Sequence, residues 1–404
     1  IKGDPKIILI FDALDELKDE VRKIELLEKV MQFKLDFQIE HEEVKKDKEP
    51  EYIKLSEKLL NEKSSLSKLK ILSQIQDIET FSKKKNLQII ITCRDQKIIQ
   101  ENEILNHFEK VELLPFDIGQ ALKLVKKLIP NNNSKSNHFI KALKDNLLTN
   151  KLVRTPLALT LMAILYKEDQ IDMAELPANI TELYNKFTDY YLDRWDASKG
   201  ISTQYKYQEA RQILSRIAAF MHSNGVKFIK EEEMMNYLET IKKERDFTDL
   251  KDIRKFIDGL KERPGLFQYD ELERKFFFYH LTFQEYFASV SFDDTNEVKL
   301  IENLYTDWWE NTLVFYCGKQ PSREIFIKKL YSDNLPLDVA QYYRYFTVIS
   351  KCLQANHLIS KDLKKKIFKS LIYNFDKFYK NILQKDIENN IGMTYVLTTL
   401  DFII

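Results

Sequence analysis

Three carboxylates follow one short apolar run near the start of the chain. Residues 7–11 are apolar without interruption and read as a strand buried on both faces, as in a parallel sheet. Asp12 ends the run, and Asp15 and Glu16 follow within four positions. Carboxylates at the carboxyl end of such a strand enter the crevice where open α/β sheets bind ligands. One acid there can hold Mg²⁺, usually through water, and a second can position the water that attacks a γ-phosphate. The plainer alternative is that Asp12 only ends a strand while Asp15 and Glu16 cap the helix that follows.

A second buried strand is expected over residues 87–92, apolar except for Gln88 and the closing Thr92, and leads through Cys93 to Arg94. An arginine at the end of a neighbouring parallel strand can reach a γ-phosphate and report its presence; otherwise it pairs with an acid at the sheet edge. The acids form a Walker B pattern. Their order, Asp12, a small and an apolar residue, then Asp15 and Glu16, resembles the variant found in NACHT NTPases, a branch of the signalling STAND ATPases. The run into Arg94 resembles the sensor 1 segment of that family.

Two later motifs keep the family's order. Residues 153–159 contain Pro156 just inside an apolar helix, where proline is well tolerated and common. Residues 264–267 open a hairpin, or wing, whose second strand, 276–279, feeds a helix capped near Thr282. Within it, residues 280–288 read His-Leu-Thr-Phe-Gln-Glu-Tyr-Phe-Ala, and Phe283, Tyr286 and Phe287 share one helical face. Taken alone, His280 on an aromatic strand reads as a buried, hydrogen-bonded core residue. The run is close to a signature of the NACHT winged helix. The resemblance implies that Pro156 packs on adenine and that His280 contacts the β-phosphate of ADP, latching the closed state.

The elements that must position these residues follow from composition. The 404 residues suit two to four domains, and Lys plus Arg (63) equals Asp plus Glu (63), so no net field singles out nucleic acid or an acidic membrane as main partner. With 8 Gly and 9 Pro, the chain should be mostly helical with short connections. Cys93, Cys317 and Cys352 are far apart and form no metal spacing, which suits a reduced, cytoplasmic setting. No apolar run is long enough for a membrane span.

In order, Val21, Ile24, Leu27, Val30 and Met31 predict one amphipathic helix, and Leu72, Ile75, Ile78 and Phe81 another. A charged, solvated excursion lies between them. Residues 111–116 predict a third strand, Asp117 the cap of a helix over 121–128, and 138–148 a further helix. Helices are expected over 181–195, 207–222, 230–242 and 249–260, then in succession around 308–309, 313–316, 325–330, 339–346 and 367–378.

The expected architecture is a partial α/β P-loop NTPase core with a parallel sheet, followed by mostly α-helical domains including a winged helix. The nucleotide-binding core occupies 1–117, a first helical domain 118–175, the winged helix 176–290 and a second helical or solenoid-like region 291–404. No GxxxxGK[ST] loop precedes the first strand, and the sequence reads as a fragment whose phosphate loop and any effector domain lie upstream; such a fragment would be a poor ATPase by itself. The resemblance, over residues 1–290, implies an ATP/ADP- and Mg²⁺-dependent switch that senses a trigger, expected to be a protein, and self-associates. Asp12 and Asp15 would hold Mg²⁺, Glu16 would orient the attacking water, and Arg94 would read the γ-phosphate. Such switches serve innate immunity in animals and antiphage defence in bacteria, and the Lys-, Asn- and Ile-heavy composition leans towards the latter. A nucleotide-free helical scaffold that binds protein partners is the competing reading, supported by the missing phosphate loop. A DNA-binding winged helix is disfavoured, because the region lacks a basic recognition helix.

Overall fold

The computed structural model describes residues 6–11, 14, 20–44, 54–55, 58, 80–82, 86–93, 104–105, 108–111, 113–129, 133–145, 155–168, 176–198, 204–245, 247–261, 266–319, 322–331, 339–356 and 358–383. The chain divides into two compact units, Ile1–Leu113 and Leu114–Ile404.

In the first unit, β1 (Lys6–Phe11) pairs in parallel with β4 (Asn86–Ile91), in register from Lys6 opposite Asn86 to Phe11 opposite Ile91. Parallel pairing needs a crossover, and helix α1 (Glu20–His41) begins it. Leu27, Val30 and Met31 on α1 are buried, as are Ile104 and Leu105. Burial on both strand faces is not what forms: Ile8 and Ile10 are 51% and 64% exposed in this two-stranded sheet. Phe81 also departs from expectation. It lies in β3 (Thr80–Ser82), antiparallel to β2 (Glu42–Val44), rather than in a helix. The positions 72, 75 and 78 of that expected helix lie outside the described residues.

The strand expected over 111–116 is absent at its described positions, and Val111, Leu113 and Leu114 stand 79%, 93% and 74% exposed. Pro115 offers no ladder donor, and the segment spans the junction between the two units.

The second unit opens with α2 (Ile118–Leu128). Asp117 caps it through a reciprocal box: its carboxylate accepts from Gln120 N at 2.7 Å, and the Gln120 side chain accepts from Asp117 N at 2.9 Å. Helix α3 (Asn133–Asp145) starts before the predicted position. Helix α4 (Pro156–Lys167) is apolar nearly all round and accordingly central, with Leu159, Met162 and Leu165 sealed from solvent.

Helices α5 (Ile180–Ser198) and α6 (Gln204–Ser223) follow. Gly225 (φ 59) ends α6 as only glycine readily can: its N–H donates to His222 O at 2.9 Å, and Val226 N donates to Met221 O at 2.9 Å. The chain then enters β5 (Phe228–Lys230), so Lys230 belongs to a strand and α7 (Glu231–Glu244) starts one residue later than expected. A 3₁₀ turn (Thr248–Asp252) leads into α8 (Ile253–Lys261). Strands β6 (Phe267–Asp270) and β7 (Lys275–Phe278) form the wing, and β7 lies between β5 and β6 in an antiparallel three-stranded sheet. Phe267 stacks on Phe276 at 5.6 Å and meets Phe278 edge-on at 4.8 Å. Helix α9 (Leu281–Ser291) follows directly.

The remaining helices are α10 (Val298–Glu302), α11 (Glu310–Cys317), α12 (Glu324–Leu330), α13 (Val339–Ala355) and α14 (Lys361–Leu383), gathered around a second hydrophobic cluster. Three contacts fuse them to the winged helix. Phe315 of α11 packs with Tyr184 and Tyr286 at 4.9 and 5.5 Å. Lys319 donates to the carbonyls of Ser289, Val290 and Phe292, closing the end of α9. His222 stacks on Trp308 at 4.8 Å, meets Trp309 edge-on at 4.6 Å and lies 3.0 Å from the Thr312 hydroxyl.

Candidate functional site

At the carboxyl ends of β1 and β4 the two chains are stitched together beyond the ladder. Thr92 N donates to Phe11 O at 2.9 Å, and Leu14 N donates to Thr92 O at 2.8 Å. Leu14 is buried at 3% exposure, and Thr92 and Cys93 are half-buried. The register therefore brings the two strand ends side by side, as the chemistry expected of the residues that follow them requires. Asp12, Asp15, Glu16 and Arg94 themselves lie outside the described residues. As a donor set, two carboxylates supply the hard oxygen ligands that suit Mg²⁺.

In the second unit, Pro156 occupies the first turn of α4 and is exposed. Thr155 caps the helix by accepting from Ala158 N at 3.4 Å, and the Thr160 hydroxyl donates to Pro156 O at 2.8 Å. Proline costs the helix nothing here, because its missing N–H is one of the unpaired donors of a first turn.

His280 sits between β7 and α9, and it is the residue that caps α9, in place of Thr282. It is exposed, so the reading as a buried core histidine does not hold. Its ring Nδ1 accepts from Thr282 N at 3.2 Å and lies 2.8 Å from the Thr282 hydroxyl. That hydroxyl is 2.7 Å from the Tyr184 hydroxyl on α5. Burial pushes the Tyr184 phenol far above its usual pKa, so it stays protonated and can donate to Thr282. An Nδ1 that accepts from a backbone N–H carries its lone pair there, which assigns the neutral ring's proton to Nε2. The cap thus fixes the orientation of an exposed imidazole at the start of α9.

The face of α9 behind His280 is held rigidly. Phe283, Tyr286 and Phe287 are buried. The Arg211 guanidinium donates to Asp189 at 2.6 Å, to Tyr286 Oη at 2.6 Å and to Asn185, tying α5, α6 and α9 together. Burial, the first cause, leaves the Tyr286 phenol pushed up to about 12.

A second cluster braces the wing. The Glu231 carboxylate takes Lys261 at 2.5 Å, the Tyr269 hydroxyl at 2.7 Å and the Arg274 guanidinium at 3.2 Å. These partners, Lys261 foremost, draw its pKa down to about 2. Lys261 of α8 and Arg274 of the wing are both engaged by this one acid. Sequence reasoning missed Glu231, which lies in no motif, and read Tyr184 only as an aromatic core position of the helix over 181–195; the partners brought by folding mark both.

Residues 180–292 match the family model described as a winged helix-turn-helix domain C-terminal to NACHT. The order of elements from α6 to β7, helix–strand–helix–helix–strand–strand, agrees with that description. The match supports a NACHT-associated protein and says nothing of residues outside it. No curated protein matches the chain. No described helix is long and apolar enough to cross a membrane.

Proposed function

We propose that this protein is a NACHT-type nucleotide switch of the STAND class, which self-associates on sensing a trigger. The observation that carries the reading is the match to a NACHT-associated winged helix, with His280 at the start of α9 as an exposed donor. The paired ends of β1 and β4, followed in sequence by the candidate metal-holding acids and by the candidate phosphate-reading Arg94, support it further.

On this proposal His280 donates Nε2–H to a β-phosphate oxygen of ADP, and Pro156 lies flat against the adenine. Asp12 and Asp15 hold the metal ion through oxygen; Mg²⁺, when bound, supplies charge neutralisation on the phosphates. Glu16 orients the attacking water, and Arg94 contacts the γ-phosphate when ATP replaces ADP. The contact of His280 favours the ADP state, so nucleotide identity biases a two-state equilibrium. The trigger is proposed to be a protein, the setting cytoplasmic, and the role immune or antiphage defence.

The test is to purify the complete protein, denature it, and identify the released nucleotide by chromatography. Stoichiometric ADP is expected from the parent, loss of it from His280→Ala, and ATP in its place from Glu16→Gln. An empty protein in all three would sink the switch and favour the nucleotide-free scaffold.

A further inference from the structure

The wing turn presents one apolar side chain on an unusually well-braced support. Leu272 is 95% exposed, flanked by the exposed Glu271 and Glu273. The Asp270 carboxylate accepts from Leu272 N at 3.0 Å and from Glu273 N at 3.1 Å. Arg274 holds a left-handed φ of 48, which a non-glycine residue adopts only when its surroundings impose it. Here Glu231 imposes it twice: its N–H donates to Arg274 O at 2.9 Å, and its carboxylate pairs with the guanidinium. A leucine held this way loses little conformational freedom on docking.

A complementary cavity lies between α12 and the start of α14. It is a depression open to solvent, of about 380 Å³, lined by Lys328, Tyr331, Ser360, Asp362, Leu363 and Lys366. Leu363 and Tyr331 provide apolar surface, with Lys366 5.2 Å from the Tyr331 ring. Lys361, Lys365 and Lys369 are exposed beside it at four-residue spacing, one helical stripe. Helix α14 carries seven lysines against two aspartates, so Asp362 in the lining is outweighed. The volume takes a leucine side chain. Lys328 also pairs with Glu324 at 3.2 Å, yet the lysines around the rim outnumber its acids, Glu324 and Asp362, so the balance is opposite to the charge of the two glutamates.

We propose that the wing turn 271–273 of one copy seats Leu272 in the α12–α14 cavity of a second copy. Leu272 is open to solvent in its own chain, so the socket it fills belongs to another. The contact joins different surfaces, head to tail, and therefore propagates into a ring or a filament. By itself it is smaller than the roughly 1,000 Å² of a stand-alone interface, so it acts with further contacts of the same assembly. This deepens the self-association in the proposed function and rests on that reading.

The experiment is sedimentation velocity of the full chain with ADP and with a non-hydrolysable ATP analogue, alongside released-nucleotide analysis. Parent protein should associate in at least one state. L272D, E271K/E273K and K328E/K366E should each weaken association at least tenfold, and the two charge reversals together should restore it to within about threefold. Position 272 supports no core, so L272D should keep its fold and nucleotide. The interface is overturned if the parent stays monomeric in both states, if L272D associates like the parent, or if the paired reversals fail to restore. Association that depends on Leu272 but ignores nucleotide would instead remove the switch and leave the interface standing.

Discussion

The Nδ1 atom of His280 lies 2.8 Å from the hydroxyl of Thr282, two residues on in the same chain. One ring is therefore asked for two tasks: it caps α9 through Nδ1, and on the proposed function its Nε2 donates to the nucleotide. The tasks separate by mutation, because a cap needs only a side-chain acceptor, whereas the proposed ligand contact needs the imidazole.

His280→Asn should keep the cap, since asparagine is among the best N-caps, while His280→Ala should lose about 1 kcal/mol of stability. Both should lose bound ADP. Denaturant melts beside nucleotide release read the two effects independently. An Asn variant that retains stoichiometric ADP would remove His280 from the binding role.

His222 is sealed at the junction of α6 with the C-terminal helices. Burial, seconded by Lys299, draws its pKa from the usual 6.5 down to about 3. Below pH 6.5 the unfolded chain takes up a proton that the folded chain refuses. The stability this neutral ring contributes is thus complete above pH 6.5 and declines by roughly 1.4 kcal/mol per pH unit as pH falls towards 3. Denaturation midpoints across that range should show the decline in the parent. They should flatten in His222→Phe, which removes the titrating group.

Gly318, just after α11, packs against α5. A Cβ there would lie 2.8 Å from Thr181 Cβ and closer still to the Thr181 hydroxyl, which donates to Phe315 O at 3.1 Å. Gly318→Ala should cost about 1–3 kcal/mol by overpacking. Pairing it with Thr181→Ala should recover part of that, and a double-mutant cycle measures how much. Simple additivity would show that the two positions do not press on each other.

Cys317 and Cys352 are fully buried, and burial raises the Cys317 thiol well above its usual range. Cys93 is half-buried. In native protein a small thiol reagent should modify Cys93 first and reach the other two only on unfolding. Mass spectrometry of partly labelled protein checks the order.

The mostly helical composition and the aromatic wing strand were legible because each is local. Asp117 capped its helix as its neighbours require, and Phe283, Tyr286 and Phe287 faced inward as their spacing requires. Strand β5 was not legible: three residues long, it exists only because β7, 45 to 49 positions later, supplies its partners. Residues 111–116 failed in the opposite sense, having strand-like composition but no neighbour to pair with among the described residues.

By itself, then, the sequence determined which side chains carry candidate chemistry and which local elements hold them, since capping, helical periodicity and strand patterning act over a few residues. Only the tertiary structure decided that His280 is an exposed cap with its proton on Nε2. It also decided that Glu231 braces the wing, and that α11 locks the winged helix to the C-terminal helices through Phe315 and Thr181. Those outcomes depend on burial and on partners distant in the chain, and neither quantity exists until the chain has folded.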